Sequence, residues 1–346
     1  MHTNELVSII LPTYNRLELL KEAIDSVLKQ TYTNLELIVI DDGSSDETRS
    51  YVENHLDKRI RFISQENMGR SSARNAGFLE CKGELISFID SDDLYLPNKI
   101  EIQVKYLSEN PEYEVMYTAA DCFAGSNYES LMHRYNAESC GSIYQEIAAY
   151  VPLTICLPTV MFRRVVFETI GLFDITLDRF EDTDYWRRIS KDFQFGALNE
   201  VTCLIRTHGG NSIDGISMNE LRKQVLRYGD KVLKEDHREQ GPTIYKLVAN
   251  LYRHYSYAIH SMSKGTREVI ILNFMAKLLD KIYENRFKIV VDLNSRKVVS
   301  REGRGSTFRF HLFLCKTLID FSRGAYCFLL RRFKSKIMGL LRRADD

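Results

Sequence analysis

Residues 87–97 read SFIDSDDLYLP, and this stretch decides how the rest of the chain is read. An apolar run ends in three carboxylates within four residues, Asp90, Asp92 and Asp93. Two carboxylates about 4 Å apart repel by roughly 1 kcal/mol in bulk water and by about 4 kcal/mol near a protein surface. Gathering them at the end of a buried strand therefore requires either a helix start that points into water or a cation. In an extended chain alternate residues face the same way, so Asp90 and Asp92 are expected to project together. Asp93 then points elsewhere and is expected to cap the helix that begins near Pro97.

The same design recurs on either side. LVSIILP (6–12) reads as a strand and is followed by Leu17, Leu20, Ile24, Val27 and Leu28 at helical spacing, with Asn15 and Glu18 placed as a capping box. LELIVIDDGSSDET (35–48) repeats it, with Ser44 and Glu47 opening a second helix after Gly43. RIRFI (59–63), ELISFID (84–90) and YEVMYTA (113–119) are three more strands, and helical patterns cover 70–81 and 97–109. Strands alternating with helices imply an α/β fold whose sheet is mostly parallel and covered by helices. Ligands in such sheets bind beyond the carboxyl ends of the strands. PTYNR, DDGS and DSDD all sit there, which predicts one site assembled from three strand ends.

The 346 residues exceed the usual single compact domain, and 44% hydrophobic with 27% charged residues excludes a disordered or collagen-like chain. The zero net charge hides an asymmetry, because residues 301–346 carry 11 Lys/Arg against 4 Asp/Glu and the remainder is correspondingly acidic. Seven widely spaced cysteines without a C-x-x-C pair fit reduced thiols in a cytosolic setting. The N-terminal stretch lacks the pattern of a signal peptide, and no run of about 18 uncharged apolar residues suggests a membrane span.

Each cluster has a plain reading beside a functional one. Asp41 and Asp42 before Gly43 form either an Asx-type turn or a hydrogen-bond acceptor for a nucleobase or ribose. Arg70 and Arg74 in NMGRSSARNAG (67–77) are either solvated charges or partners for a phosphate between two acidic strand ends. Neither G-x-G-x-x-G nor G-x-x-x-x-G-K-[ST] occurs, so the common phosphate-binding loops are excluded. Asp90 and Asp92 either mark a capped helix start or hold a hard divalent cation, which one Asp-x-Asp binds only with a diphosphate completing its shell. Asp182 is either a helix N-cap or a base, and His208 either an ordinary loop histidine or a ligand.

VSIILPTYNR, IVIDDGSSDET, NMGRSSARNAG, ISFIDSDDLYLP, GLFD, FEDTDYW and RTHGGNS, in this order, resemble a family-two glycosyltransferase of the GT-A fold over roughly residues 6–212. The resemblance implies inverting transfer of a hexosyl or N-acetylhexosaminyl group from a nucleotide diphosphate, a UDP-sugar, with Mn²⁺ or Mg²⁺. By position, Pro12, Tyr14 and Asp41 resemble residues that hold the base, with Arg16 beside them, and Arg74 lies in the element that helps bind the nucleotide. Asp90 would face the ribose or the metal, and Asp92 would be the main metal ligand. Asp182 corresponds to the catalytic base with Glu181 next to it, and His208 to the residue that closes over the diphosphate or metal. Arg187 departs from the pattern at a commonly apolar position. A non-catalytic sugar-nucleotide-binding or scaffold protein of the same fold is the alternative.

The domain expectation is a glycosyltransferase domain over 1–215, with a donor half to about 120 and an acceptor half beyond it. A mainly helical extension is expected over 216–300, with a short hairpin or helix at 286–300, and a basic amphipathic tail over 301–346. On a helical wheel Leu330, Phe333, Ile337, Leu340 and Leu341 share one side of that tail, and Arg331, Arg332, Lys336, Arg342 and Arg343 the other. Such a helix suits an anionic membrane surface, or else packs on the body or a second subunit of a homo-oligomer. The expected partners are thus a nucleotide sugar, a lipid-linked saccharide acceptor and the inner face of the plasma membrane, on the cytoplasmic side, in bacterial surface-polysaccharide synthesis. No nucleic-acid partner is expected.

Overall fold

The computed structural model describes residues 4–125, 131–149, 155–207, 217–240, 248–252, 276, 289–292 and 297–300. The chain divides into two compact units, residues 1–224 and 225–346. In chain order the first unit carries β1 (Val7–Thr13), α1 (Leu17–Leu28), β2 (Leu35–Asp41), α2 (Thr48–Glu53), β3 (Ile60–Ser64), α3 (Arg70–Glu80), β4 (Leu85–Phe88), β5 (Leu94–Tyr95) and α4 (Lys99–Glu109). It continues with β6 (Val115–Ala124), β7 (Leu131–Tyr135), α5 (Tyr144–Ala149), β8 (Val160–Arg163), α6 (Arg164–Ile170), α7 (Glu181–Asp192) and β9 (Phe195–Thr207). α8 (Met218–Gln240) runs across the division.

These strands form one nine-stranded sheet in the order β3-β2-β1-β4-β8-β6-β9-β5, with β7 on β6. β1, β2, β3 and β4 pair in parallel, and β1, β2 and β4 are buried along their whole length, as predominantly apolar strands covered on both faces are. β6 and β9 are also parallel, whereas β8, β5 and β7 run antiparallel to their neighbours. The long β9 and the antiparallel strands were not foreseen: β9 and β7 are partly exposed and charge-bearing, and β5 and β8 are mostly apolar but only two and four residues long.

Two hydrophobic clusters separate the faces. One joins Leu20, Ile24 and Val27 of α1 to Ile100, Val104 and Leu107 of α4. The other packs Phe78 of α3 and Tyr185 of α7 with Phe88, Phe162 and Phe173. Phe78 stacks on Phe167 at 4.5 Å between centroids, and Phe173 on Tyr185 at 4.2 Å. Gly77 lets α3 settle onto β1, since a Cβ there would lie 2.7 Å from Ile10 Cγ2. The helix therefore delivers its arginines close to the strand ends.

Three local expectations need correction. Asn15 does not cap α1: the helix begins after Arg16 without a side-chain cap, and Asn15, at φ 49°, accepts from the Ser45 N–H instead. Ser44 likewise leaves α2 uncapped and accepts from the Asn15 N–H, while Asp46 accepts from the Thr48 N–H. The two loops satisfy each other, and this fastens the end of β1 to the end of β2. Asp93 does not cap α4, which begins after Asn98, because β5 intervenes.

In the second unit Val225, Tyr228, Val232, Val248, Leu251 and Tyr252 are buried, and Gly229 admits the Tyr252 ring, whose hydroxyl would lie 2.5 Å from a Cβ. Ile289–Asp292 and Lys297–Ser300 pair antiparallel, the hairpin alternative for that stretch. His208 and the tail over 301–346 lie outside the described residues.

Candidate active site

The carboxyl ends of β1, β2 and β4 meet along one edge of the sheet, around a cavity of about 360 Å³. Pro12 lines it from the end of β1, Tyr14 and Arg16 from the loop that follows, Asp42 from the loop after β2, Arg70 and Arg74 from α3, and Asp90, Asp92 and Asp93 from the loop after β4. Arg206 closes it from the end of β9.

Asp90 and Asp92 do face the same space, but not by strand alternation. The Asp93 N–H donates to the Asp90 carbonyl at 3.1 Å, so residues 90–93 make a turn that points all three acids inward. Each carboxylate has a partner of its own. Asp90 accepts from Arg74 Nη2 at 2.9 Å. Asp92 is ion-paired with Arg16. Asp93 accepts from the Arg206 N–H at 3.0 Å. Burial above all, and then the Asp92 and Asp90 carboxylates, push the Asp93 carboxyl well above the usual carboxylate range. The Arg74 and Arg16 side chains thus compensate Asp90 and Asp92, while Asp93 is held toward its neutral form by burial and its two acidic neighbours.

Arg74 reaches further. Its Nη1 donates to Glu181 Oε1 at 3.0 Å, so one buried guanidinium joins the acid cluster after β4 to the start of α7. Burial works against its charge, but the Asp90 and Glu181 carboxylates outweigh it and hold its pKa above the ordinary arginine value. Arg70 approaches the same Glu181 oxygen at 3.5 Å. Beside Glu181, Asp182 accepts from the Thr183 N–H at 2.6 Å. Burial, and next the Glu181 carboxylate, push Asp182 up to about 6. Asp182 is therefore no plain N-cap: the residue at that position is Phe180, in a left-handed conformation.

Asp41 and Asp42 divide their work. Asp41 accepts from the Ser44 N–H at 2.9 Å and holds the turn at Gly43, φ 84°. Asp42 lines the cavity, and accepts from the Met68 and Gly69 N–H groups, both at 2.9 Å, and from Gln65 at 2.7 Å. It fixes the loop from which α3 and its two arginines start. Asp42 and Arg206 were under-read from the sequence, although both sit inside quoted motifs. Arg206 reaches the Asp92 carbonyl at 3.0 Å, the Gly125 carbonyl at 2.9 Å and Glu22 at 2.6 Å, linking four separate segments.

Carboxylate oxygens are the donors that hard divalent cations prefer. Asp90 and Asp92 fit such an ion in kind, while among the described residues no group of three or more His, Cys, Asp or Glu is arranged to hold one. The residues thus suit an ion whose remaining ligands come from a diphosphate and water.

A family model described as Glycosyl transferase family 2 matches residues 8–171. The chain is 33% identical over 229 residues to the Escherichia coli UDP-Glc:alpha-D-GlcNAc-diphosphoundecaprenol beta-1,3-glucosyltransferase WfgD, covering 66% of this chain and 87% of that protein. It is 35% identical over 209 residues to an uncharacterized glycosyltransferase of Rickettsia felis, covering 60% of this chain and 34% of the relative, so it spans about a third of that protein. Among solved structures it is similar to Staphylococcus aureus TarS 1-349 in complex with UDP-GlcNAc, with TM-score 0.54, 15% identity, and 87% of this chain and 98% of that one covered. It is also similar to the mannosyltransferase PcManGT from Pyrobaculum calidifontis in complex with GDP-Man and Mn²⁺, with TM-score 0.52, 17% identity, and 82% and 87% covered. At such identities the likeness is one of fold.

Proposed function

The chain belongs to glycosyl transferase family 2 and has the GT-A fold, and on that premise we propose that it moves a hexosyl or N-acetylhexosaminyl group, with inversion, from a UDP-sugar to a hydroxyl of a lipid-linked saccharide. The observation that carries this reading is the Arg74 bridge. It ties Asp90, which lines the cavity, to Glu181, so that one buried group joins the candidate donor site to the residue next to the proposed base Asp182.

In the proposed reaction Tyr14 and Pro12 flank the base, and Arg70 faces the phosphates from the α3 side. The acceptor hydroxyl attacks the anomeric carbon from the face opposite the diphosphate. Asp182 takes the hydroxyl proton as the new C–O bond forms, and the electrons of the breaking C–O bond leave with the nucleoside diphosphate. Such proton transfer contributes about 10²–10⁴ in rate. A divalent ion held by Asp92 and Asp90 would stabilise negative charge on the departing diphosphate. Similarity to WfgD supports a polyprenyl-diphosphate-linked acceptor, and with it a place in surface-polysaccharide assembly on the inner face of the plasma membrane.

The test is a thermal-shift screen of UDP-, GDP- and dTDP-sugars with and without Mn²⁺, followed by mass spectrometry of a GlcNAc-diphospholipid acceptor after incubation with the stabilising donor. UDP-sugars should raise Tm, and the acceptor should gain one hexose or N-acetylhexosamine mass. Absence of both effects would overturn the proposal.

A further inference from the structure

The ion pair between Arg16 and Asp92 places a protein cation on the carboxylate assigned above to the metal. We propose that Arg16 is a resident counter-ion that must leave Asp92 when a metal–diphosphate enters and then turns to the diphosphate, so that metal binding is coupled to nucleotide binding through this side chain. The proposal rests on the reading of Asp92 as a metal ligand.

Partners and exposure single out Arg16 among the arginines of the site; Arg70 faces Glu181, at 3.5 Å, and none of the acids after β4. Arg74 is held between two carboxylates, with its side chain only 4% exposed. The contact of Arg206 with Asp93 is made by its backbone, which lies in β9. Arg16 instead has a side chain 33% exposed, set against an Asp92 side chain that is 14% exposed.

Its backbone, by contrast, is fixed. Asn15 is tied to Ser44 and Ser45 by both its N–H and its side chain, and the Arg16 carbonyl accepts the first turn of α1 from the Leu20 N–H at 2.9 Å. A change of partner can therefore be made by side-chain rotation within a cavity that Arg16 and Asp92 both line. A divalent ion on Asp92 would repel the guanidinium, and a diphosphate would offer it two acceptor oxygens in fork geometry. Without a diphosphate the metal must compete with Arg16 for Asp92. With one, the competitor is drawn away. By linkage the two ligands then strengthen each other by the same factor.

The experiment is electron paramagnetic resonance titration of free Mn²⁺ in the presence of the full chain, with and without UDP, for the wild type, Arg16→Ala and Arg16→Gln. Circular dichroism and Tm check that each variant folds, and the glutamine variant serves if alanine does not. The decisive arm is Mn²⁺ alone. Removing the competitor should tighten its binding about tenfold, within the usual range of such couplings, and shrink the gain brought by UDP. If Mn²⁺ binds the wild type and a folded variant equally without UDP, or binds the variant more weakly, Arg16 is no counter-ion and the inference fails by itself. If the wild type takes up no Mn²⁺ even with UDP, the metal reading of Asp92 fails first and the inference falls with it.

Discussion

Arg74 pairs with Asp90 and with Glu181, the neighbour of the proposed base Asp182. Asp182 is pushed up to about 6 by burial and by Glu181. A base must be ionised to accept a proton, so kcat/KM is expected to climb as pH rises through about 6 and to level off above it. The apparent value belongs to the Glu181/Asp182 pair, because neighbouring carboxylates titrate together. Asp182→Asn should lower kcat/KM by about 10²–10⁴ and remove this limb, while UDP–Mn²⁺ affinity measured by calorimetry stays within about threefold. Equal loss of binding and turnover would show that Asp182 belongs to the donor site. At this scale the acids were legible and their partners were not. Arg16 and Asp92 are 76 residues apart, and the Arg206 and Asp93 that meet at the cavity are 113 apart. No local pattern links residues so distant, and only the closure of the sheet brings them together.

At the scale of elements, the helix after the acid loop carries an unusual device. Lys99 of α4 is fully buried, with its Nζ donating to Ser87 Oγ at 3.2 Å and to Gln103 Oε1, and lying 4.2 Å from the centre of the Tyr95 ring. Burial lowers its pKa to about 8, against 10.5 for an ordinary lysine. Between these values the unfolded chain holds a proton that the folded one has released, so stability rises with pH across that window. At about 1.4 kcal/mol per pKa unit the gain is on the order of 3 kcal/mol. Lys99→Met lacks it, so the Tm of the wild type should rise relative to the variant between pH 7.5 and about 10. A difference that stays constant with pH would mean that Lys99 titrates alike in the folded and unfolded chain, so that burial does not shift it. Most strands and helices of the first 120 residues were legible because β1, β2 and β4 are predominantly apolar and α1 repeats at helical spacing, whereas the two-residue β5 was not. The caps were misread for a physical reason. Asn15 and Ser44 are good local acceptors, but each finds its partner across the groove between two loops, where it also clamps the strand ends that form the site. β9 escaped notice because a strand that borders a site must carry groups such as Arg206, which break the apolar run.

The whole molecule joins a transferase unit with balanced charges around its cavity to a chain end that is strongly basic. Among the described residues no helix is long and apolar enough to cross a membrane. The proposed lipid-linked acceptor would be met at a bilayer, so an encounter away from it would be rare without some surface attraction. The sequence of 301–346, with 11 Lys/Arg and 4 Asp/Glu, supplies a candidate for it. Each basic residue near anionic lipid is worth about 1 kcal/mol, and five or six together suffice for measurable attachment. The full chain should therefore co-sediment with vesicles containing phosphatidylglycerol at low salt, and should be released near 1 M salt, where the screening length falls to about 3 Å. A chain ending at residue 300, or a full chain with Arg331, Arg332, Lys334 and Lys336 changed to Glu, should remain in the supernatant. Both should keep turnover on a short water-soluble acceptor, which needs no bilayer. Sedimentation equal to that of the wild type would remove the tail from membrane attachment and leave it free to pack on the body or on a second copy, which gel filtration of the charge-reversed chain would then register as a change in size.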